Sequence, residues 1–326
     1  MTRTAFLTGG TGFVGINVAK VLTEQGWAVT ALHRPSSDLT YLTRFPVALA
    51  QGSILDKDSL RAAIPEGTDT IFHVAGDTNV WKPRYAEQFA NNVTGTITIR
   101  DVAIEKGVRR LVVTSSTAAW GDVSGEVIET RPKQGKDSAV NYYKTKHLAE
   151  LEALKGIDQG LEVVVMNPAV IMGPFDRGTW ARLFFMAKKG AKLPVMPGTI
   201  SAAHVEQVAL AHVAAADKGR VGENYILGGA NHDWREAMAL IFSAVGAPVP
   251  TMNVPLPVLR GAAHVMDALS RLTHKEPAIT PDAITLMAKP TFTHAQKAQD
   301  ELGFQVVPLD TMVKDSYDWL IAEGLL

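Results

Sequence analysis

Short apolar, β-branched runs alternate with longer stretches of helical periodicity through the first half of the chain. The runs predict strands over Thr4–Thr8, Ala28–His33, Val47–Gln51, Thr70–Ala75, Arg110–Thr114 and Glu162–Met166. Between them the pattern predicts helices over Gly12–Gln25, Ser59–Ile64, Ala86–Lys106 and Val140–Lys155. Six strands with intervening helices make a parallel sheet covered by helices, a doubly wound α/β fold. After Pro168 the alternation stops, and Pro174, Gly178, Pro194, Pro197 and Gly198 punctuate an irregular stretch around one helix near Trp180–Lys188. A helix over Val205–Asp217 and a strand over Asn224–Leu227 return to the sheet, before a largely helical tail from Asp233 onward. The expected organisation is therefore a nucleotide-type domain over 1–167, rejoined by 203–229, and a smaller, mostly helical lobe from 168–202 and 230–326.

Composition narrows the class. At 326 residues, 46% apolar and 20% charged, the chain is long enough to bury a large core and has the make-up of a globular enzyme. A net charge of −1 offers no footprint for nucleic acid or for an anionic membrane. The one basic cluster, Lys106 with Arg109 and Arg110, is broken by Gly107 and Val108 and reads as a solvated strand entrance. There are no cysteines, which excludes disulfides and thiolate chemistry, and the nine histidines show no ligand spacing, so no metal is expected. The apolar run Ala5–Leu7 is too short for a signal peptide and no stretch approaches a membrane span, so the cytoplasm is the expected location.

Residues 8–15 read TGGTGFVG, after a predicted strand and at the opening of a predicted helix. Glycines at 9, 12 and 15 let the backbone turn tightly and approach a pyrophosphate, while the helix start offers free N–H groups and a positive dipole end. Gly9, Thr11, Gly12, Phe13, Val14 and Gly15 are thus the candidate cradle of a Rossmann-type dinucleotide site. The end of the second strand carries no acid to bond a ribose diol. It carries His33 and Arg34, then Ser36 and Ser37, a cation with hydroxyls suited to a 2′-phosphate, which points to NADP(H). Arg34 as an ordinary surface residue beside a turn is the competing reading.

NYYKTK over 141–146 puts Tyr142 and Lys146 four apart on a predicted helix, on one face. A phenol is a poor acid–base group at neutral pH, and a neighbouring ammonium is expected to move its pKa toward neutrality. Tyr143 has only His147 as its equivalent partner. The preceding strand ends in Thr114, Ser115, Ser116 and Thr117, hydroxyls at the sheet edge where open α/β folds hold ligands, and one of them could orient a substrate carbonyl.

In these motifs, together with FHVAG at 72–76, NNVTGT at 91–96, TSSTAAWG at 114–121, NPAVIMGP at 167–174, HVEQVALAHVAA at 204–215 and YILGG at 225–229, the chain resembles the extended short-chain dehydrogenase/reductases. Within them it is most similar to the dihydroflavonol-reductase-like branch of the NAD-dependent epimerase/dehydratase family, and the stretch from His294 through Gly303, Phe304 and Trp319 resembles that branch's closing segment. The resemblance implies that Ser116 orients a carbonyl, with Ser115 and Thr117 as rivals, that Tyr142 donates the proton, and that Lys146 holds the nicotinamide ribose and lowers the phenol's pKa. It also implies Val74, Ala75 and Gly76 along the adenosine and ribose, Thr114 near the nicotinamide, Pro168 to Val170 against its ring, and Arg34 on the 2′-phosphate. A homodimer through the Ala86–Lys106 and Val140–Lys155 helices is a further implication.

Three departures from the family pattern stand out. Ser53, followed by Ile54, stands where an acid usually meets the adenine amino group, and Asp56 reads as a helix N-cap. Trp120 replaces a common Tyr, and Ala118 with Ala119 replaces the acidic pair of sugar dehydratases. His73 reads as a packed core residue, and His204 as a cap or interface residue. Thr78, Trp81, Trp120, Phe175 and Trp180, with Ser116, are the candidate walls of a pocket for an aromatic or apolar substrate, or lobe packing instead. The resulting expectation is reversible, NADPH-dependent reduction of an aldehyde or ketone. The alternatives are an NAD-dependent sugar-nucleotide epimerase and a non-catalytic NADP-binding sensor.

Overall fold

The computed structural model describes residues 2–326. In chain order the first half runs β1 (Thr4–Thr8), α1 (Phe13–Glu24), β2 (Ala28–His33), β3 (Val47–Gln51), α2 (Lys57–Ala63), β4 (Thr70–His73), α3 (Tyr85–Phe89), α4 (Gly95–Glu105), β5 (Arg110–Thr114), β6 (Gly125–Val127), α5 (Asn141–Leu154) and β7 (Glu162–Pro168). The predicted helix over 86–106 is thus interrupted: a wider π turn, Ala90–Thr94, separates α3 from α4. The second half comprises β8 (Val170–Met172), α6 (Ala181–Lys188), β9 (Thr199–His204), α7 (Val205–Lys218), β10 (Asn224–Leu227), β11 (Ala230–Asp233), α8 (Trp234–Ala244), α9 (Leu256–Thr273), α10 (Pro281–Met287), β12 (Thr291–Thr293), α11 (Gln296–Leu302) and α12 (Leu309–Ala322).

Seven strands form one wholly parallel sheet in the order β10-β7-β5-β4-β1-β2-β3. The direction of winding reverses between β1 and β4, which opens a crevice at the carboxyl ends of the strands. Two apolar cores cover the two faces. One contains Leu7, Leu22, Phe72 and Tyr225 and packs α1 and α7 on the sheet, and the other contains Phe6, Ile71, Ile99 and Val163 beneath α2, α4 and α5.

The second lobe is mostly helical, as its sequence suggests, and adds short strands that the sequence does not announce. It carries a three-stranded sheet, β11-β9-β8, and a parallel pair of β12 with β6. These strands are short, and each finds its partner far along the chain, so no local pattern announces them. A third core, around Phe184, Trp234, Phe242 and Met312, binds this sheet to α6, α8 and α12. No helix among the described residues is long and apolar enough to cross a membrane.

The basic cluster is not solvated throughout. Arg110 is buried, donating to the Ala215 and Gly219 carbonyls at 2.7 and 3.0 Å and to Glu162 at 2.8 Å, so it closes the C-terminal end of α7. Arg109 bridges Asp69 and Glu162, and Lys106 pairs with Glu66.

Candidate active site

A cleft of about 820 Å³ lies along the carboxyl ends of the main sheet, between it and the second lobe. Its first wall is the β1–α1 turn. Gly9 has φ +72°, and a Cβ there would sit 2.5 Å from the Ala75 nitrogen; one on Gly15 would fall on the Gly9 carbonyl. Only glycine permits this close approach of three backbone segments. Gly12 precedes α1 with no side-chain cap, so the first N–H groups of the helix are left to face the cleft. Thr11, Phe13, Val14, Arg34, Ser53, Ile54, Val74, Ala75, Gly76, Thr114, Pro168 and Val170 line the same cleft. Arg34 is exposed at its rim, its N–H bonded to Ser37 Oγ at 3.0 Å. The Ser53 hydroxyl accepts from the Leu55 N–H at 3.2 Å, while Asp56 caps α2 through the Asp58 and Ser59 N–H groups. These residues fit a dinucleotide: a backbone cradle without side chains, a helix start behind it, and a cation at the adenosine end.

Tyr142, Lys146 and Ser116 meet at the middle of the cleft. Lys146, buried one turn after Tyr142 on α5, donates to the Thr114 carbonyl at 3.0 Å. Burial pushes its ammonium down to about 8, against the opposing pull of Glu150 and Asp77. Burial also raises the Tyr142 phenol above its ordinary value; a hydrogen bond with Ser116 opposes this and the Asp77 carboxylate adds to it. The expected depression of the phenol by Lys146 is therefore not what the geometry gives, because the ammonium is turned onto the Thr114 carbonyl and desolvation dominates. Ser116 opens the short turn Thr117–Trp120, accepting from the Ala118 N–H at 3.1 Å and donating to the Pro168 carbonyl at 3.3 Å. Its rivals Ser115 and Thr117 both line the cleft, the Ser115 hydroxyl sealed from solvent without a partner.

Three supporting residues had no role in the sequence reading. Asp77 is clamped by Asn92, which accepts from its N–H at 2.7 Å and donates to its carbonyl at 2.9 Å and to Thr145 Oγ1 at 3.1 Å. Asn92 lies in the π turn, and that irregularity carries its amide to Asp77 and Thr145. His212 on α7 donates from Nδ1 to the Val208 carbonyl at 2.7 Å, which leaves Nε2 to accept from the Thr114 hydroxyl at 2.9 Å. His73 is the buried brace expected of it, linking Thr8 Oγ1 (2.8 Å) to Thr96 Oγ1 (3.1 Å); burial, with the nearby Lys146 charge, lowers it to about 3, so it stays neutral.

The sequence model of the NAD dependent epimerase/dehydratase family matches residues 5–228. The chain belongs to this family. It is 30% identical to a protein named for dihydroflavonol 4-reductase in Synechocystis sp., over 98% of this chain and 95% of that one. It is 27% identical to sterol demethylase protein B of Methylococcus capsulatus, over 99% and 100%. The crystal structure of gox2253 superposes over the whole of both chains with a TM-score of 0.85 at 30% identity. Family membership makes the chain a nicotinamide-dinucleotide-dependent oxidoreductase of the extended short-chain type.

In this family member the aromatic candidates separate. Thr78 and Trp180 line the cleft, and Trp180 stacks on Trp234 with centroids 5.2 Å apart. Trp120 does not reach it: fully buried among Val123, Val127 and Ile226, it donates to the Arg131 carbonyl and lies under the Lys133 ammonium, so TSSTAAWG turns its last side chain inward. Trp81 is tied to α9 by a hydrogen bond to Ser270 Oγ at 2.9 Å. Phe175, with φ +74°, sits among Tyr41, Phe45 and Trp319 and clasps the β2–β3 connection to α12. Val123, Ile200, Trp234, Leu286 and Met287 line the cleft instead. Periodicity could not single them out, because they come from four separate segments.

Proposed function

We propose that this enzyme reduces the carbonyl of an apolar aldehyde or ketone with NADPH. One observation carries the reading: beyond the dinucleotide cradle and Lys146, the cleft lining holds a single cation, Lys289, and Asp122 holds it at 2.6 Å. A sugar nucleotide needs charged or bidentate donors for its diphosphate, whereas Val123, Ile200, Trp180, Trp234, Leu286 and Met287 suit an apolar body. Two relatives, one named for dihydroflavonol 4-reductase and the other sterol demethylase protein B, point the same way.

The bound cofactor would supply the hydride, held by the glycine cradle, with Arg34 on a 2′-phosphate. Tyr142, kept protonated by burial, is the proton donor to the carbonyl oxygen, and Ser116 donates a hydrogen bond to that oxygen and so stabilises the charge that grows there. Lys146 keeps a positive charge beside the site below about pH 8 and can replace the proton that Tyr142 gives up. A phenol held above its ordinary value favours reduction at neutral pH; alcohol oxidation needs the phenolate and so needs base.

The test is spectrophotometric oxidation of NADPH and NADH with a panel of aromatic and aliphatic carbonyls, run beside Tyr142→Phe. Consumption of NADPH by the wild type and not by the variant is the expected result. No turnover of either cofactor with any carbonyl, and NAD retained through purification, would move the epimerase reading ahead.

A further inference from the structure

Behind Ser116 lies a buried charged pair that neither the dinucleotide cradle nor the substrate wall uses. Tyr142, Lys146 and Glu150 follow one another at four-residue intervals on α5, so all three side chains leave the same face of the helix. Glu150 is 1% exposed. One of its oxygens pairs with the Lys133 ammonium and the other accepts from the Asn167 amide at 2.5 Å. That same amide donates to the Ser116 carbonyl at 3.1 Å, and Asn167 precedes Pro168, whose carbonyl receives the Ser116 hydroxyl. Lys133 is held in turn by Asn224 Oδ1 at 2.5 Å and by the face of Trp120, at the end of the turn that Ser116 opens.

Burying two opposite charges is costly even when they are well bonded, and an apolar pair of the same volume is often as stable or more so. What such a pair does supply is a single geometry. We propose that Glu150 is a positioning residue: through the Asn167 amide it ties the backbone of Ser116 to the helix carrying Tyr142 and Lys146, and so fixes the separation of hydroxyl and phenol. The inference rests on the roles assigned to Ser116 and Tyr142 under the proposed function. The bridge runs from β7 to the turn after β5 and to α5, the two elements from which the reacting groups project.

Two double variants separate positioning from stability. Lys133→Met with Glu150→Gln removes both charges but leaves an oxygen to accept from Asn167; Lys133→Met with Glu150→Leu removes the acceptor as well. With a carbonyl that the wild type reduces, assayed at about pH 6 so that Lys146 stays charged without Glu150, the Gln pair should keep kcat within about threefold, while the Leu pair should lose about ten- to a hundredfold. KM for NADPH should stay unchanged in both, and crystal structures should show Ser116 Oγ displaced from Tyr142 in the Leu pair alone. Should the Leu pair not fold, Asn167→Ala breaks the bridge from its other end with the ion pair intact, and the same kcat loss and displacement are expected. A folded Leu pair or Asn167→Ala with wild-type kcat and an unmoved Ser116 would overturn the proposal, as would equal losses in the Gln and Leu pairs. If the wild type reduces no carbonyl, it is the reductase reading that has failed, and the position of Ser116 in the crystals still decides the bridge.

Discussion

Arg34→Ala is the substitution that most directly tests the cofactor. Arg34 stands on the turn after β2, exposed at the adenosine end of the cleft, and forms no ion pair among the described residues. The acids of this rim are held by other arginines: Arg177 binds Asp38 at 2.6 Å, and Arg84 binds Glu87 at 2.7 Å, whose carboxyl is lowered chiefly by Arg84 and only in part by Arg34. A phosphate at this rim would therefore meet a guanidinium that no carboxylate holds in an ion pair. A hydrogen bond to a charged group contributes about 1.5–3 kcal/mol. Solvent exposure cuts this to about 1–2 kcal/mol, or about five- to thirtyfold in affinity.

Arg34→Ala should thus raise KM for NADPH by about tenfold, leave kcat unchanged because Tyr142 and Lys146 lie away from this rim, at the middle of the cleft, and leave KM for NADH unchanged. Added salt should weaken NADPH binding in the wild type more than in the variant, since it screens an exposed charge pair. Steady-state kinetics with both cofactors at two ionic strengths would measure this. If kcat/KM for NADPH and NADH falls together, Arg34 contacts something other than the 2′-phosphate; if neither changes, it is a bystander and the NADPH assignment loses its basis in the sequence.

Reduction should proceed at a constant rate at low pH and fall about tenfold per unit above about pH 8, as Lys146 loses its charge, whereas oxidation of the alcohol should rise with pH as the phenol ionises. Rates in both directions across this range would show it, and a reduction rate still flat well above pH 8 would remove Lys146 charge from the mechanism. His73 and His212 are lowered by burial to about 3 and about 4, so between those values and about 6.5 the unfolded chain binds more protons than the folded one. Stability should therefore drop as pH falls through this window, by about 1.4 kcal/mol per unit for each histidine. In denaturant titrations His73→Gln should flatten that slope by one proton's worth, and an unchanged slope would contradict the assignment. Trp120→Ala should cost about 3–5 kcal/mol of stability without changing KM for the carbonyl, whereas Trp180→Ala should raise that KM with little loss of stability; thermal melts beside kinetics would distinguish them.

The main sheet was legible because a buried parallel strand flanked by helices writes itself as a contiguous apolar run, and β1, β2, β3 and β5 lie where those runs lie. The glycine cradle was legible for a related reason: the steric demand at Gly9 and Gly15 is local, set by residues of one turn and one neighbouring strand. The second-lobe sheet was not, since Ala230–Asp233 pairs with Thr199–His204 and Thr291–Thr293 with Gly125–Val127, and short polar strands carry no signal apart from their partners.

The active site divides along the same line. The four-residue spacing of Tyr142 and Lys146 states which helix face they share, and α5 holds them there. It does not state where the ammonium points. The contact with the Thr114 carbonyl depends on how far α5 sits from β5, and the burial that raises the phenol is set by the packed lobes, neither of which the spacing states. Trp120 and Phe175 misled in the same way: both adjoin residues that line the cleft, but a fixed backbone turn sends one into the Val123 core and a positive φ sends the other toward Trp319. Asp77, His212 and Glu150 act through buried polar partners 15 to 98 positions away. In this fold, then, the candidate catalytic side chains are marked by local spacing, while the groups that set their charge and aim are marked only by what they touch.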